Sequence, residues 1–214
     1  MIPHRTRVKV CGIRDEAMAD AACRAGADAI GLVFHPPSPR HVDSETARAI
    51  AASVPAFVTV VGLFVNRDAH DVRGILARVP MGLLQFHGDE TPSFCAQFGL
   101  PWIKAVRVGP DTDLLECARC FSGAAGLLLD AHVPGHFGGT GRSFDWSRIP
   151  GSMPRPVILS GGLDAGNVGD AIRQVVPWAV DVSSGVESAP GRKDAGRIEE
   201  FLRSVRDADT RRGC

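Results

Sequence analysis

Residues 156–185 read PVILSGGLDAGNVGDAIRQVVPWAVDVSSG and contain two short apolar runs with a helical pattern between them. The runs, Pro156–Leu159 and Trp178–Val182, are continuously apolar, which is typical of parallel strands buried on both faces. Between them, apolar residues at 168, 171, 172 and 175 have the spacing of an amphipathic helix. The segment therefore predicts a strand–helix–strand unit with a Gly-rich turn after each strand.

The same alternation extends through the chain of 214 residues. Further apolar runs of strand length lie at Val8–Val10, Ala29–Phe34, Phe57–Val65, Gly82–Phe86, Trp102–Val106 and Gly126–Leu129. Helical spacing recurs at 47–54, 72–79 and 198–205. Each of the strands is followed by a helix or a helix-like stretch, at a repeat of roughly 25 residues, as a barrel of about 200–250 residues requires.

Two architectures accommodate such units, a closed barrel and an open doubly wound sheet. The open sheet favours a G-x-G-x-x-G turn after the first strand, where Cys11-Gly12-Ile13-Arg14 stands instead. We therefore predict an α/β protein with a single (β/α)8 TIM barrel over residues 1–214. The polar end of the chain, 207–214, is expected to fray.

Composition excludes several classes of function. Hydrophobic residues make up 44% of the chain, enough for a sizeable core. The 24 Lys and Arg balance 24 Asp and Glu, which argues against nucleic acid as the main partner. The start, Met1–Arg5, lacks a secretory pattern, and the most apolar stretch, Phe57–Val65, is shorter than a membrane helix. We expect a cytoplasmic protein with no membrane partner.

The six cysteines give little support for a disulfide or a metal site. Cys117 and Cys120 have C-x-x-C spacing but fall inside a predicted helix, and no second pair completes a ligand set. His132 and His136 are four residues apart, yet Pro134-Gly135 between them rules out the helix that would align them. The sequence predicts no metal.

In a closed barrel the active site lies at the carboxyl ends of the strands. Reactive side chains stand at or just after five predicted strand ends, namely Cys11, Arg40, His87, Asp130 and Asp181. A thiol, a guanidinium, an imidazole and carboxylates on one face indicate acid–base chemistry.

Three Gly-rich segments follow the last strands. Barrels often bind phosphate at the loops after strands 7 and 8, where Gly161 and Gly162, and then Ser183, Ser184 and Gly185, stand here. The alternative is a pair of tight turns, which also favour Gly and Ser. The third segment, Gly138, Gly139, Thr140 and Gly141, does not match a P-loop, because His136 and Arg142 stand where its first Gly and its Lys are required. We predict a lid there, with a merely flexible insertion as the alternative.

Taken together in their order and spacing, these motifs resemble the phosphoribosylanthranilate isomerase family of tryptophan biosynthesis. The resemblance covers Val8 to about Val205. It rests on Val8-Lys9-Val10-Cys11-Gly12-Ile13, Ser38-Pro39-Arg40, Gln85-Phe86-His87-Gly88, Leu129-Asp130, Gly138-Gly139-Thr140-Gly141, Phe144-Asp145-Trp146, Ser160-Gly161-Gly162-Leu163 and Asp181-Val182-Ser183-Ser184-Gly185-Val186-Glu187. Phe86 stands where Leu is usual and Ser160 where Ala is usual, and neither departure removes a functional group.

The resemblance implies an Amadori rearrangement of N-(5'-phosphoribosyl)anthranilate. It implies that Asp130 is the general acid, Cys11 the general base, and Arg40 the contact for the anthranilate carboxylate. His87 and Asp181 match positions that line the substrate pocket. The Cys11 thiolate needs positive charge nearby, but we expect Lys9 to point to the opposite face of its strand and do not credit it.

No cofactor is expected, because proton transfers alone complete this chemistry. The expected partner is a small phosphorylated substrate, and the chain is either a monomer or a homodimer. One rival is a related barrel isomerase serving both tryptophan and histidine synthesis, in which we expect Asp at the end of the first strand. A second is a catalytically silent barrel that only binds a sugar phosphate. Cys11 at the end of the first strand argues against the first rival. The presence of both the implied acid, Asp130, and the implied base, Cys11, argues against the second.

Overall fold

The computed structural model describes residues 5–131 and 143–212. Within them, eight parallel strands close into a barrel in chain order, with β1 paired to both β2 and β8. The strands are β1 Arg7–Cys11, β2 Ala29–Val33, β3 Thr59–Phe64, β4 Leu83–Phe86, β5 Trp102–Val108, β6 Gly126–Ala131, β7 Val157–Leu159 and β8 Ala179–Val182. The predicted barrel is confirmed, and each strand coincides with a predicted apolar run.

Seven α-helices surround the barrel in the described residues. They are α1 Glu16–Ala25, α2 Ser44–Ser53, α3 Ala69–Leu76, α4 Pro92–Ala96, α5 Leu114–Cys120, α6 Val168–Val175 and α7 Ala195–Arg212. Asp15, Asp43, Asp68 and Asp113 begin four of these helices by accepting hydrogen bonds from first-turn amides. After β8 come a 3-10 turn, Ser184–Val186, and a small antiparallel pair, β9 Glu187–Ala189 and β10 Arg192–Lys193.

The unit after β6 departs from the predicted repeat. Between 143 and 156 the described chain forms only a 3-10 turn, Trp146–Arg148, capped by the Asp145 carboxylate. Pro150, Pro154 and Pro156 follow closely, and each removes an amide that a helix would use. In the described part of this unit, a 3-10 turn therefore stands where the repeat predicts a helix or helix-like stretch.

The end of the chain is better ordered than its polarity suggests. Helix α7 continues to Arg212, and Ala208 within it is only 2% exposed. The Asp209 carboxylate accepts hydrogen bonds of 2.7 Å from the amide and the hydroxyl of Thr6. Residues 207–212 of the stretch expected to fray are thus part of helix α7. No helix of the described residues is long and apolar enough to cross a bilayer.

Side chains alternate between the inside and the outside of the barrel with the two-residue period of a strand. Deep inside, Ile103, Ala105, Leu128, Ile158 and Ala179 form one apolar cluster. Nearer the carboxyl ends, inward positions become polar, as the buried residues Lys9, Gln85, Asp130, Ser160 and Asp181 illustrate. The barrel thus has an apolar floor beneath a polar mouth.

Candidate active site

A cleft that opens to solvent lies at the carboxyl ends of the strands. It is lined by six of the residues predicted from sequence: Cys11, Arg40, His87, Asp130, Asp181 and Ser183. Val33, Leu63 and Val65 supply an apolar wall on one side. Cys11 ends β1, and Asp130 lies near the end of β6, three strands away around the barrel through β8 and β7. The two candidate catalytic groups therefore approach the cleft from different sides.

Cys11 shares its side of the cleft with a buried ion pair. The ammonium nitrogen of Lys9 donates to Asp181 Oδ1 at 2.7 Å, and the Ser160 hydroxyl donates to Asp181 Oδ2 at 3.2 Å. Burial raises the pKa of the Cys11 thiol, and the charge of Lys9 opposes that rise.

The expectation that Lys9 faces away from Cys11 is wrong. Residues 9 and 11 are two apart on β1, so their side chains project to the same face of the strand. The Cys11 sulfur and Lys9 Cε lie side by side over Gly31, and the Lys9 ammonium donates to Asp181. The period of the strand was a sufficient signal to place it there.

Asp130 is held by a second polar chain. Its Oδ1 accepts from the Ala131 amide at 2.9 Å, and its Oδ2 lies 3.2 Å from His87 Nε2. The other ring nitrogen of His87, Nδ1, lies 2.9 Å from Gln85 Nε2. Since an amide NH2 only donates, His87 Nδ1 accepts in this arrangement, and Nε2–H donates to Asp130. His87 therefore orients the candidate acid.

Arg40 lines the cleft but is already paired. Its Nε and Nη2 each donate to a carboxylate oxygen of Glu187 at 2.8 Å, and Lys193 donates to the same carboxylate at 2.8 Å. Burial would raise the pKa of Glu187, but the hydrogen bond from Arg40 and the charge of Lys193 outweigh it and hold that pKa below its ordinary value. A guanidinium has five N–H donors, so three of those on Arg40 are left for a ligand.

The two Gly-rich loops meet at the rim beside this cleft. Gly161 and Gly162 adopt φ angles of 86° and 64°, in the left-handed region that favours glycine. A Cβ on Gly185 would lie 2.0 Å from the carbonyl oxygen of Leu163, so the loops after β7 and β8 are in close contact. Ser184 and Gly185 begin a 3-10 turn, whose first amides have no acceptor inside the turn.

Other predicted site residues have varied positions. The hydroxyl of Ser183 donates to the Cys11 carbonyl at 3.1 Å and lies 3.3 Å from the Lys193 ammonium, which donates to it. Cys117 and Cys120 lie within α5, as predicted. The predicted lid residues Gly138, Gly139, Thr140 and Gly141, together with His132 and His136, lie outside the described residues.

Sequence reasoning missed several side chains that hold the site together. Gln85, Ser160 and Glu187 stood in the quoted motifs without a role, and Lys193 was not considered. The Ser160 hydroxyl, treated as a neutral departure from Ala, donates to Asp181. Because side chains alternate along β4, Gln85 lies on the same face as His87, and the contact between them could have been predicted from sequence. No feature of the sequence indicated that Lys193 would reach the site.

Comparison with known proteins gives one consistent answer. The family model described as "N-(5'phosphoribosyl)anthranilate (PRA) isomerase" matches residues 8–204. The N-(5'-phosphoribosyl)anthranilate isomerase of Leptothrix cholodnii is 55% identical over 209 residues, covering 98% of this chain and 94% of that one.

Solved structures agree with the sequence comparison. One is a phosphoribosyl anthranilate isomerase in complex with reduced 1-(o-carboxyphenylamino)-1-deoxyribulose 5-phosphate, with a TM-score of 0.81 and 36% identity over 94% of this chain and 99% of that one. Another contains monomers generated from the dimeric enzyme of Thermotoga maritima, with a TM-score of 0.83 and 36% identity over 94% and 98% of the two chains.

Proposed function

The chain belongs to the N-(5'-phosphoribosyl)anthranilate isomerase family, and on that premise we propose that Cys11 and Asp130 divide the acid–base work of its reaction. The enzyme converts N-(5'-phosphoribosyl)anthranilate to 1-(2-carboxyphenylamino)-1-deoxyribulose 5-phosphate in tryptophan biosynthesis. The observation that supports the division of labour is the placement of one thiol and one carboxylate on different sides of a single cleft.

The proposed chemistry begins with two proton transfers carried out by Asp130 and Cys11. Asp130 donates a proton to the ring oxygen of the ribose while the C1–O bond breaks and the nitrogen lone pair forms an iminium at C1. The Cys11 thiolate then removes the C2 proton, which the iminium has made more acidic, and the electrons of that C–H bond form an enolamine. In the final tautomerisation C1 gains a proton and the C2 hydroxyl loses one, which gives the ketone. Only protons move, so the steps call for no cofactor.

A general acid must carry its proton before the reaction, and the environment of Asp130 accommodates that state. Gln85 Oε1 is buried without a hydrogen-bond partner among the described residues. Rotating the Gln85 amide by half a turn would present this oxygen to a proton on His87 Nδ1. His87 Nε2 would then accept the proton of a neutral Asp130 carboxyl. We infer that the Gln85–His87 pair supports both protonation states of the acid.

We further propose that the loops after β7 and β8 bind the substrate phosphate. Backbone amides at a helical turn attract anions, and glycine lets an anion approach closely. The left-handed Gly162 and the close packing of Gly185 against the Leu163 carbonyl support this placement, because they bring the two Gly-rich loops together at the rim. Crystals grown with inorganic phosphate should hold the anion near these two residues.

A substitution at Gly162 tests the phosphate site in solution. Gly162→Ala is expected to weaken inhibition by inorganic phosphate about tenfold or more, because hydrogen bonds to a charged group contribute about 1.5–3 kcal/mol. Gly99→Ala is the matched control, since Gly99 has a similar φ of 71° in a turn before β5. The assignment would be contradicted if phosphate inhibition weakened equally in the two variants, or if it weakened in neither of them.

Arg40 is proposed to bind the anthranilate carboxylate. Arg40→Ala is expected to weaken inhibition by reduced 1-(o-carboxyphenylamino)-1-deoxyribulose 5-phosphate about 10–100-fold, the cost of one charge-assisted hydrogen bond. Inhibition by ribose 5-phosphate, which lacks that carboxylate, should change much less. Glu187→Gln is the control for disruption of the ion pair, because it keeps Arg40. Equal losses for the two inhibitors in Arg40→Ala would refute this role.

We also propose that the chain is a homodimer, as the Thermotoga maritima enzyme is described to be. Phe57 and Trp178 stand just before β3 and β8, at the end of the barrel away from the cleft. Phe57 is fully exposed and has a left-handed φ of 73°, an unfavourable conformation for an aromatic residue. We infer that these two side chains belong to the interface of the dimer.

Sedimentation equilibrium tests this assembly. The wild type is expected at twice the chain mass of 22.7 kDa, and Phe57→Asp at that mass itself. Leu115→Asp, on the exposed side of α5, should leave the dimer intact. A wild-type protein that sediments as a monomer at micromolar concentration would refute the homodimer.

A further inference from the structure

We propose that Lys9 is a positioning residue for catalysis, whose ammonium group, held by Asp181, stabilises the thiolate of Cys11. This inference deepens the proposed function, because it assumes that Cys11 is the base. It assigns a task to a buried lysine that the acid–base chemistry leaves unused. It also supplies the positive charge that a thiol needs in order to act as a base near neutral pH.

The geometry of β1 brings the two groups together. Lys9 and Cys11 are two residues apart and both project into the barrel mouth. Lys9 pairs in register with Asp181 on the neighbouring strand β8, and its ammonium nitrogen lies 2.7 Å from the carboxylate. The side chains of Lys9 and Asp181 are 6% and 5% exposed. Little solvent therefore screens this charge from the sulfur.

Gly31 on β2 provides the space for this arrangement. A Cβ at Gly31 would lie 2.7 Å from the Cys11 sulfur and 3.2 Å from Lys9 Cε. Both distances are shorter than ordinary van der Waals contacts. The side chains of Lys9 and Cys11 thus pack together over the backbone of one glycine.

The charges that face Cys11 come from three elements. Burial raises its pKa, Lys9 on β1 lowers it, Asp181 on β8 raises it, and Lys193 on β10 lowers it. Among these groups the charge of Lys9 opposes the effect of burial most strongly. The other titratable side chains of the cleft are His35, Arg40, His87 and Asp130.

Lys9 keeps its proton in this environment. Burial by itself would lower the pKa of Lys9, but the Asp181 carboxylate and the Cys11 sulfur more than offset that effect and raise it above its ordinary value. A permanently charged ammonium does not exchange protons with the substrate near neutral pH. Its role is therefore electrostatic, and Asp181 fixes its position.

Alkylation of Cys11 by iodoacetamide measures the thiolate without relying on turnover, since the thiolate displaces iodide. The pH midpoint of the reaction is followed on the Cys11 peptide by mass spectrometry. Lys9→Met should move the midpoint to a pH higher by about 1–3 units, the usual effect of losing a close opposite charge. Asp181→Asn should move it to lower pH, and Lys9→Arg should stay closer to wild type than Lys9→Met.

An electrostatic effect shifts the alkylation midpoint in opposite directions in Lys9→Met and Asp181→Asn. Damage to the fold would not produce this pair of opposite shifts. Ser160→Ala, which removes one hydrogen bond to Asp181 and no charge, should leave the midpoint close to the wild-type value. Alkylation of Cys23 on α1 serves as the internal control. If Lys9→Met does not fold because Asp181 loses its partner, the double variant Lys9→Met/Asp181→Asn removes both charges, and its midpoint should still lie above that of Asp181→Asn.

Two results would overturn the proposal: an unchanged midpoint in folded Lys9→Met, or a shift to higher pH in both single variants. The pH profile of kcat/KM then distinguishes this inference from the proposed function. If the alkylation midpoints move as expected but the acid limb of that profile does not follow them, thiolate stabilisation by Lys9 stands and Cys11 is not the base.

Discussion

Asp130→Asn is expected to lower kcat by about 10²–10⁴-fold, the usual contribution of a general acid. The substitution keeps the shape of the side chain and an oxygen that can accept from the Ala131 amide. It removes the proton that we propose is donated to the ribose ring oxygen. The new amide group would face His87 Nε2, which can accept from it in the tautomer that also satisfies Gln85 Oε1. The fold should therefore persist.

Steady-state turnover of N-(5'-phosphoribosyl)anthranilate, with circular dichroism to monitor folding, measures this loss. Asp145→Asn is a matched control, because the same change there affects only the exposed cap of a 3-10 turn. A folded Asp130→Asn enzyme with kcat close to wild type would show that the ring oxygen receives its proton from another group.

The strands of this barrel were readable from sequence because each is buried on both faces. Every residue of β6 is buried, and its run of apolar residues has no polar interruption before Asp130. Such runs depend only on local composition, so their limits were correct to within one or two residues. In the described residues 143–156, a 3-10 turn stands where the repeat predicts a helix, because Pro150, Pro154 and Pro156 in close succession interrupt any helical pattern there.

The residues of the cleft could be predicted because the fold itself collects strand ends at one face. Their partners could not be predicted in the same way. Arg40 and Glu187 are 147 residues apart in the chain, and nothing local to either indicates their contact. Lys9 is a different case. Side chains two residues apart on a strand share a face, so the sequence was sufficient to place Lys9 beside Cys11, and the expectation that they face opposite ways was an error.

Ser160 illustrates a limit of reasoning from resemblance. A residue that differs from its family's usual Ala looked neutral, because the substitution removes no functional group. The added hydroxyl nevertheless donates to a buried carboxylate, which a motif comparison does not reveal. Hydrogen-bond partners across strands require the register of the barrel, and the sequence alone does not contain it.

Cys11→Ser is the sharper test of the base. The substitution changes one atom and nearly preserves size, but a hydroxyl is a far weaker acid than a thiol. Burial, which already raises the pKa of the thiol, would disfavour an alkoxide at this position still more. We therefore expect kcat to fall by at least about 10²–10⁴-fold, the contribution typical of a general base, while Arg40 and the phosphate loops continue to bind ligand.

Three measurements make the Cys11→Ser result decisive. Turnover gives the loss in kcat, circular dichroism reports the fold, and inhibition by inorganic phosphate reports the integrity of the site. Cys23→Ser on α1 is the matched control and should retain full activity, since Cys23 lies outside the cleft. If folded Cys11→Ser binds phosphate normally and keeps close to wild-type kcat, Cys11 is not the base. His87, whose ring lies in the same cleft, would then be the next group to test.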